Sequence, residues 1–323
     1  ELGDFNPNVQ TLTAINPNSV LIPVNRAGGV TTVLSEPQGS LFTGQSSLIN
    51  LFGFTPEQMA VKKIAGLHLV FPSKGRVSSF DKSALKEREK RFTRQMENLD
   101  ELWVMAENYN RNYQKAKLNN ELHLFKKNFR FDPFISLFEK EVPLVITVNR
   151  DTDILRAIDW TKNKNINVIF SGVTEGWRVA KQIADAKIPC LVGPILSLPT
   201  RPEDRYDRPY TNPKFLYEAG VTIAFRTGES SNVRNLPFHT AKSIAYGLPE
   251  DVGLKALTIF PAQIFGVDNL IGSIEKGKIA NIVVTDNNIL EINSQTKYLF
   301  INGKNVSLEN RQQELYEKFR KRD

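Results

Sequence analysis

The sequence predicts an α/β fold of the (β/α)8 TIM-like barrel type, and three observations carry that reading. Short apolar runs of strand length recur along the chain. Amphipathic stretches of helix length separate the later runs, and a chain of 323 residues has room for a barrel of about 250 residues with additions. Strand and helix in alternation is the pattern of a parallel sheet whose crossovers are helices. An open doubly wound sheet is the rival, but no dinucleotide-type or P-loop glycine fingerprint opens any of the helices.

Taken in order, the first run is VTTVL at 30–34, β-branched and too short for a helix, following Gly28 and Gly29. Similar runs lie at 47–51, 67–71, 144–148, 167–170, 190–192 and 221–225, which makes seven strands and leaves one of eight unaccounted for. Residues 152–164 carry Ile154, Leu155, Ile158 and Trp160 at helical spacing, and residues 174–187 carry Val179, Ile183 and Ala184. Two regions stand outside the alternation. Residues 73–141 hold 15 Lys and Arg against 11 Asp and Glu, with Phe92, Leu99, Leu102, Trp103 and Met105 as apolar contacts, and read as a helical insertion covering one barrel face. Residues 272–306 contain short strands with turns at 275–278 and at Asn302-Gly303, and read as a small β-sandwich appendage. The expected division is therefore a barrel over 1–271, the appendage over 272–306, and a charged helix over 307–323 anchored by Leu315, Tyr316 and Phe319.

Composition narrows the chemistry. Hydrophobic residues make up 41% and charged residues 24%, so a sizeable core can form. The lone Cys190 lies in an apolar strand and reads as a core residue, which leaves no zinc site built from several thiolates. His68, His123 and His239 are far apart, and no HxH or HExxH pair occurs. No apolar run reaches the roughly eighteen residues of a membrane span, so a soluble protein, cytoplasmic or periplasmic, is expected. Four of the seven excess positive charges fall in 73–141, since 15 minus 11 is 4. Interleaved with acids, they read as a solvated helical face, and no nucleic-acid partner is expected.

The most specific pattern lies near the C-terminus: GLPE from Gly247, LKALT at 254–258, Pro261-Ala262, Ile264 to Gly266, and GSIEKGK at 272–278. It resembles the closing signature of the amidohydrolase superfamily, in particular its imidazolonepropionase-like branch. GGVTTV at 28–33, Gly44-Gln45 and NRDTDI at 149–154 resemble the same branch. The resemblance implies metal-dependent hydrolysis of non-peptide C–N bonds, with ligands at the C-terminal ends of barrel strands: HxH on the first, Lys or Glu on the fourth, His on the fifth and sixth, and Asp on the eighth.

Those positions have changed here. Residues 1–24 contain no His and read as the loop and helix after the first strand, so that strand is expected from an upstream segment or a partner chain. His68 stands where relatives carry the bridging Lys, Thr147 and Asn149 stand on the fifth strand, Ser171 on the sixth, and Gly228 replaces the Asp of the eighth. Hydroxyl and amide groups are poor zinc ligands beside imidazole. His68 and Glu229 are the remaining metal candidates, Glu229 otherwise being a solvated carboxylate or one paired with Arg226 or Arg234, and His239 is expected to help start a helix.

The resulting expectation is an amidohydrolase-like pseudoenzyme with no cofactor, inert as this chain. Its barrel mouth, formed by Thr147, Asn149, Arg150, Ser171, Thr227, Glu229 and Arg234, would take a small polar ligand. Two alternatives stay open. One is an active hydrolase using zinc or another divalent metal, completed by an upstream or partner HxH. The other is an interaction module built on 73–141, whose removal would leave the barrel folded. The sequence does not fix an oligomeric state.

Overall fold

The computed structural model describes residues 3–75 and 82–320. Seven strands form one curled sheet whose spatial order follows the chain: β1 (Thr32–Ser35), β2 (Leu41–Asn50), β3 (Ala60–Val70), β4 (Leu144–Val148), β5 (Val168–Gly172), β6 (Cys190–Val192) and β7 (Ile223–Phe225). Each overlaps an apolar run read from the sequence, although β2 and β3 begin six and seven residues ahead of theirs. From β3 to β7 all pairings are parallel, giving a TIM-like half-barrel. The first two strands depart from the expected parallel alternation: β1 pairs antiparallel with β2, Thr32 opposite Asn50, and β2 pairs antiparallel with β3, Leu41 opposite Val70. The reason is connection length. Residues 36–40 and 51–59 are too few for a parallel crossover, which takes a dozen residues or more. Among the described residues the sheet stays open, with β1 and β7 at its two ends.

Eleven α-helices accompany the sheets among the described residues: α1 (Leu21–Ala27), α2 (Pro56–Met59), α3 (Lys82–Leu118), α4 (Asp132–Phe138), α5 (Asp151–Thr161), α6 (Ala180–Asp185), α7 (Arg208–Glu218), α8 (Leu236–Ala245), α9 (Glu250–Leu257), α10 (Ile259–Ile264) and α11 (Arg311–Phe319). None is long and apolar enough to cross a membrane. Successive strand residues face opposite sides of a sheet. Leu144, Ile146, Val148, Phe170, Cys190, Val192, Ile223 and Phe225 accordingly join the outer core with Ile154, Ile183, Leu216 and Val252 of the covering helices. Val145, Ile169, Leu191 and Ala224 line the concave face, closed at one end by Ala262, Phe265 and Val267.

The insertion is part of that outer core. Leu99, Trp103 and Ala106 share one face of α3 at spacings of four and three, and pack with Phe42, Leu67, Phe134 and Leu137. The Trp103 ring meets Trp160 at 5.0 Å and Phe138 at 5.3 Å. Met105 points the other way and is exposed, contrary to its expected role as a contact.

Residues ahead of α1 run beside the first half of β2, bridged at Phe5 with Phe42 and at Gln10 with Gln45. Gly44 permits this approach: its φ is +136°, and a Cβ there would lie 2.6 Å from the Val9 carbonyl oxygen.

The appendage is a three-stranded antiparallel sheet of β8 (Ile282–Thr285), β9 (Thr296–Ile301) and β10 (Lys304–Asn305). Leu299, Ile301 and Val306 pack on Val30 and Leu51. The Asn281 side chain donates to Thr32 Oγ1 (3.0 Å) and Asn50 Oδ1 (2.7 Å), and Asn50 donates to Asn302 Oδ1 (2.9 Å), joining the two sheets. In α11 the expected anchors Leu315, Tyr316 and Phe319 are exposed, and no residue of that helix is buried. Its Asn310 cap, accepting from Gln312 and Gln313 N–H, holds the start of the helix instead.

Candidate functional site

Side-chain alternation brings four polar residues to the concave face near the C-terminal strand ends. His68 alternates with the outward Leu67 and Leu69 on β3. Thr147 follows Val145 on β4, Ser171 follows Ile169 on β5, and Arg226 stands two residues after Ala224 of β7. Thr147 and Ser171 are register partners. Arg226 Nη1 donates to Ser171 Oγ at 2.5 Å, and its Nη2 lies 3.2 Å from Glu36 Oε2, in the β1–β2 connection. Gly193, with φ +141°, makes room for this arginine, because a Cβ there would come within 2.0 Å of the Arg226 carbonyl oxygen.

His68 is 3% exposed, and its Nε2 has no hydrogen-bond partner. Burial pushes its pKa down to about 4; Glu36 opposes this and Arg226 adds to it. The imidazole is therefore neutral at physiological pH, beside the Arg226–Glu36 ion pair. Among the described residues, no group of three or more His, Cys, Asp or Glu is placed to hold a metal ion. One neutral imidazole and one arginine-paired carboxylate do not fit the donor set of a hydrolytic divalent metal, which takes about three protein ligands and an open position.

The remaining residues named from the sequence are not gathered at this point. Asn149 is exposed beyond the end of β4, and its carbonyl accepts from Glu175 N–H at 2.8 Å. Arg150 donates through Nη1 to the Gly75 carbonyl. Thr227, Glu229 and Arg234 belong to the loop after β7. Thr227 Oγ1 donates to the Glu229 carbonyl at 3.1 Å, the Glu229 carboxylate accepts from Asn232 at 3.1 Å rather than pairing with either arginine, and the Arg234 backbone lies against Gly28. His239 does not start a helix. It sits inside α8, buried, where its Nδ1 accepts from Ile195 N–H at 3.2 Å and fixes the loop after β6.

A second polar cluster was not anticipated. Glu175, 1% exposed, takes a bidentate interaction from Arg201 (Nε to Oε1 2.9 Å, Nη2 to Oε2 2.6 Å) and accepts from Asp151 N–H at 3.1 Å. Arg201 Nη2 also lies 2.7 Å from Asp151 Oδ1, so one guanidinium ties together the loops that follow β4, β5 and β6. Thr147 and Ser171 were named in the sequence through the family resemblance, and the strand alternation that turns them inward also points to Arg226. Glu36 and Arg201 carry no such signal, since both lie in irregular connections.

Two concavities lie away from this point. A broad one of about 1130 Å³ opens at the opposite ends of the strands, lined by residues such as Lys62, Pro143, Asn167, Pro189 and Thr222. A cleft beside the end of β6, between Trp177, Pro194 and Arg208, has a volume of about 10 Å³, room for one water at most.

The pattern of the amidohydrolase family matches residues 168–306. The amidohydrolase tasK of Hapsidospora irregularis is 32% identical over 91 residues, which is 28% of this chain and 9% of that protein. The crystal structure of an amidohydrolase from Thermotoga maritima MSB8 superposes with a TM-score of 0.81 at 26% identity, over 95% of this chain and 79% of that one.

Proposed function

Because the chain belongs to the amidohydrolase superfamily, we propose that it is a non-hydrolytic member whose barrel mouth holds a small polar ligand without a metal. One observation carries this reading: a guanidinium, Arg226, lies among the strand ends where a divalent ion would have to sit, bonded to Ser171 and Glu36 beside a neutral His68. At a separation of about 5 Å and an effective dielectric of about 20, a dication and a guanidinium repel by on the order of 7 kcal/mol. The same arginine is a forked donor suited to a carboxylate or amide oxygen. Motifs at 28–33 and 149–154 support extending the reading to the imidazolonepropionase-like branch. Metal content of the purified chain after exposure to zinc is the test. The proposal expects far less than one equivalent retained, and one or two tightly held ions per chain would overturn it.

A second reading rests on the open seam. Among the described residues no strand pairs with the far edge of β1 or of β7. A strand from an upstream segment or a partner chain could enter there and bring imidazoles to the mouth, restoring metal-dependent hydrolysis of C–N bonds. Zinc retention and turnover of a cyclic amide that appear only with the added segment would favour this reading. Their absence in its presence would remove it.

A further inference from the structure

We propose that the tip of the α3 insertion, residues 111–130, docks on an anionic lipid surface. α3 continues for twelve residues beyond Ala106, its last buried residue, which is about 18 Å of helix. The chain then folds back, and the tip is held in shape. Tyr109 and Tyr113 flank Phe125 at 5.0 and 5.5 Å, and the Tyr109 hydroxyl accepts from Asn128 N–H at 2.9 Å and donates to Asp132.

This packing leaves Leu118, Leu124 and Phe129 outside it, 81%, 72% and 77% exposed, with Leu122 also exposed. Around them the charge is one-sided. Residues 111–130 contain Arg111, Lys115, Lys117, Lys126, Lys127 and Arg130 against Glu121 alone, a net of +5. The rest of 73–141 holds 15 minus 6, or 9, bases against 11 minus 1, or 10, acids. The whole positive excess of the insertion is thus at its tip, where the sequence reading expected bases and acids to interleave. Lys117 with Glu139 is the one ion pair described for these six bases.

Exposed leucines and a phenylalanine in a segment rich in lysine and arginine suit a layer that is apolar beneath and anionic at its surface. Side chains standing about three-quarters out of the surface form knobs. Clustered lysines and arginines can hold an acidic segment, but such a partner leaves the exposed leucines and phenylalanine in water. A second copy of this tip would bring like charges together. A deformable headgroup layer accepts both the knobs and the charge.

The test is co-sedimentation of the full chain with vesicles of phosphatidylcholine containing about a third phosphatidylserine, against phosphatidylcholine alone, at about 0.1 M salt. Binding to the anionic vesicles only, released at about 0.5 M salt, is expected. The triple variant K126Q/K127Q/R130Q should bind about a hundredfold more weakly, from about fivefold per charge. L118S/L124S/F129S should bind at least about tenfold more weakly. Both should melt with the parent, which separates lost docking from lost folding. Failure to bind either vesicle, equal binding to both, or retention on immobilised polyglutamate without vesicle binding would overturn the proposal.

Discussion

Replacing Trp103 with alanine should destabilise the whole molecule, although the residue lies in an insertion about thirty residues beyond the end of β3. The side chain is 2% exposed and its ring meets Phe134, Phe138 and Trp160, with Lys164 Nζ 5.1 Å above it. Truncating such a residue costs about 3–5 kcal/mol, because the neighbours cannot collapse fully into the space. In a chain of this size about 1 kcal/mol moves the melting temperature by roughly 2 °C, so a fall of roughly 6–10 °C is expected. Met105→Ala, two residues away on the exposed face, should stay within about 0.5 kcal/mol of the parent. Paired thermal and urea melts of the two variants supply the measurement. If Trp103→Ala melted within about 1 °C of the parent, or if Met105→Ala lost as much, α3 would not belong to the core. The expectation that the barrel folds without 73–141 would then stand. As the packing is, removing α3 takes Leu99, Trp103 and Ala106 from the core that covers β3 and β4.

Three further outcomes follow from the site and its surroundings. His68 binds a proton in the unfolded chain below its ordinary 6.5 but in the folded protein only near 4. Stability should therefore fall by about 3 kcal/mol as pH drops through that window, a loss absent from His68→Gln in acid denaturation. Glu175→Ala leaves the half-buried Arg201 with Asp151 as its remaining carboxylate and should cost about 1.5–3 kcal/mol, with faster proteolysis at 195–206 as the local readout; a variant as stable and as resistant as the parent would contradict the clamp. Cys190 is fully buried and burial raises its thiol, so a thiol reagent should label no cysteine in the native protein and one after denaturation.

Apolar runs located all seven strands of the main sheet, because strands buried on both faces announce themselves by composition. Direction was not legible: the runs at 30–34 and 47–51 leave twelve residues between them, enough for a crossover, and it is the start of β2 at Leu41 that shortens the connection. Five residues between β1 and β2 can turn the chain but cannot carry it back to start a parallel neighbour. Thr147 and Ser171 were visible because they stand where the resembling family carries its strand-end ligands, and the two-residue period of a strand turns both inward. Arg226 obeys the same period, yet its neighbours in sequence drew attention to Glu229. Glu36 could not be found at all: its partner is 190 positions away, and nothing local in the hairpin marks it as an ion-pair residue.

Since each strand pairs with its neighbour along the chain, most of the sheet can assemble through short closures, from any hairpin outward. The β3–β4 pair is different. More than seventy residues separate Val70 from Leu144. A flexible segment of that length costs about 1 kcal/mol more to close than one of about twenty residues. Helix formation in α3 and the seating of Trp103 shorten the closure before the strands meet. The kinetic expectation is that Trp103→Ala slows folding as well as speeding unfolding, which places the insertion in the folding nucleus that joins the antiparallel front of the sheet to its parallel remainder.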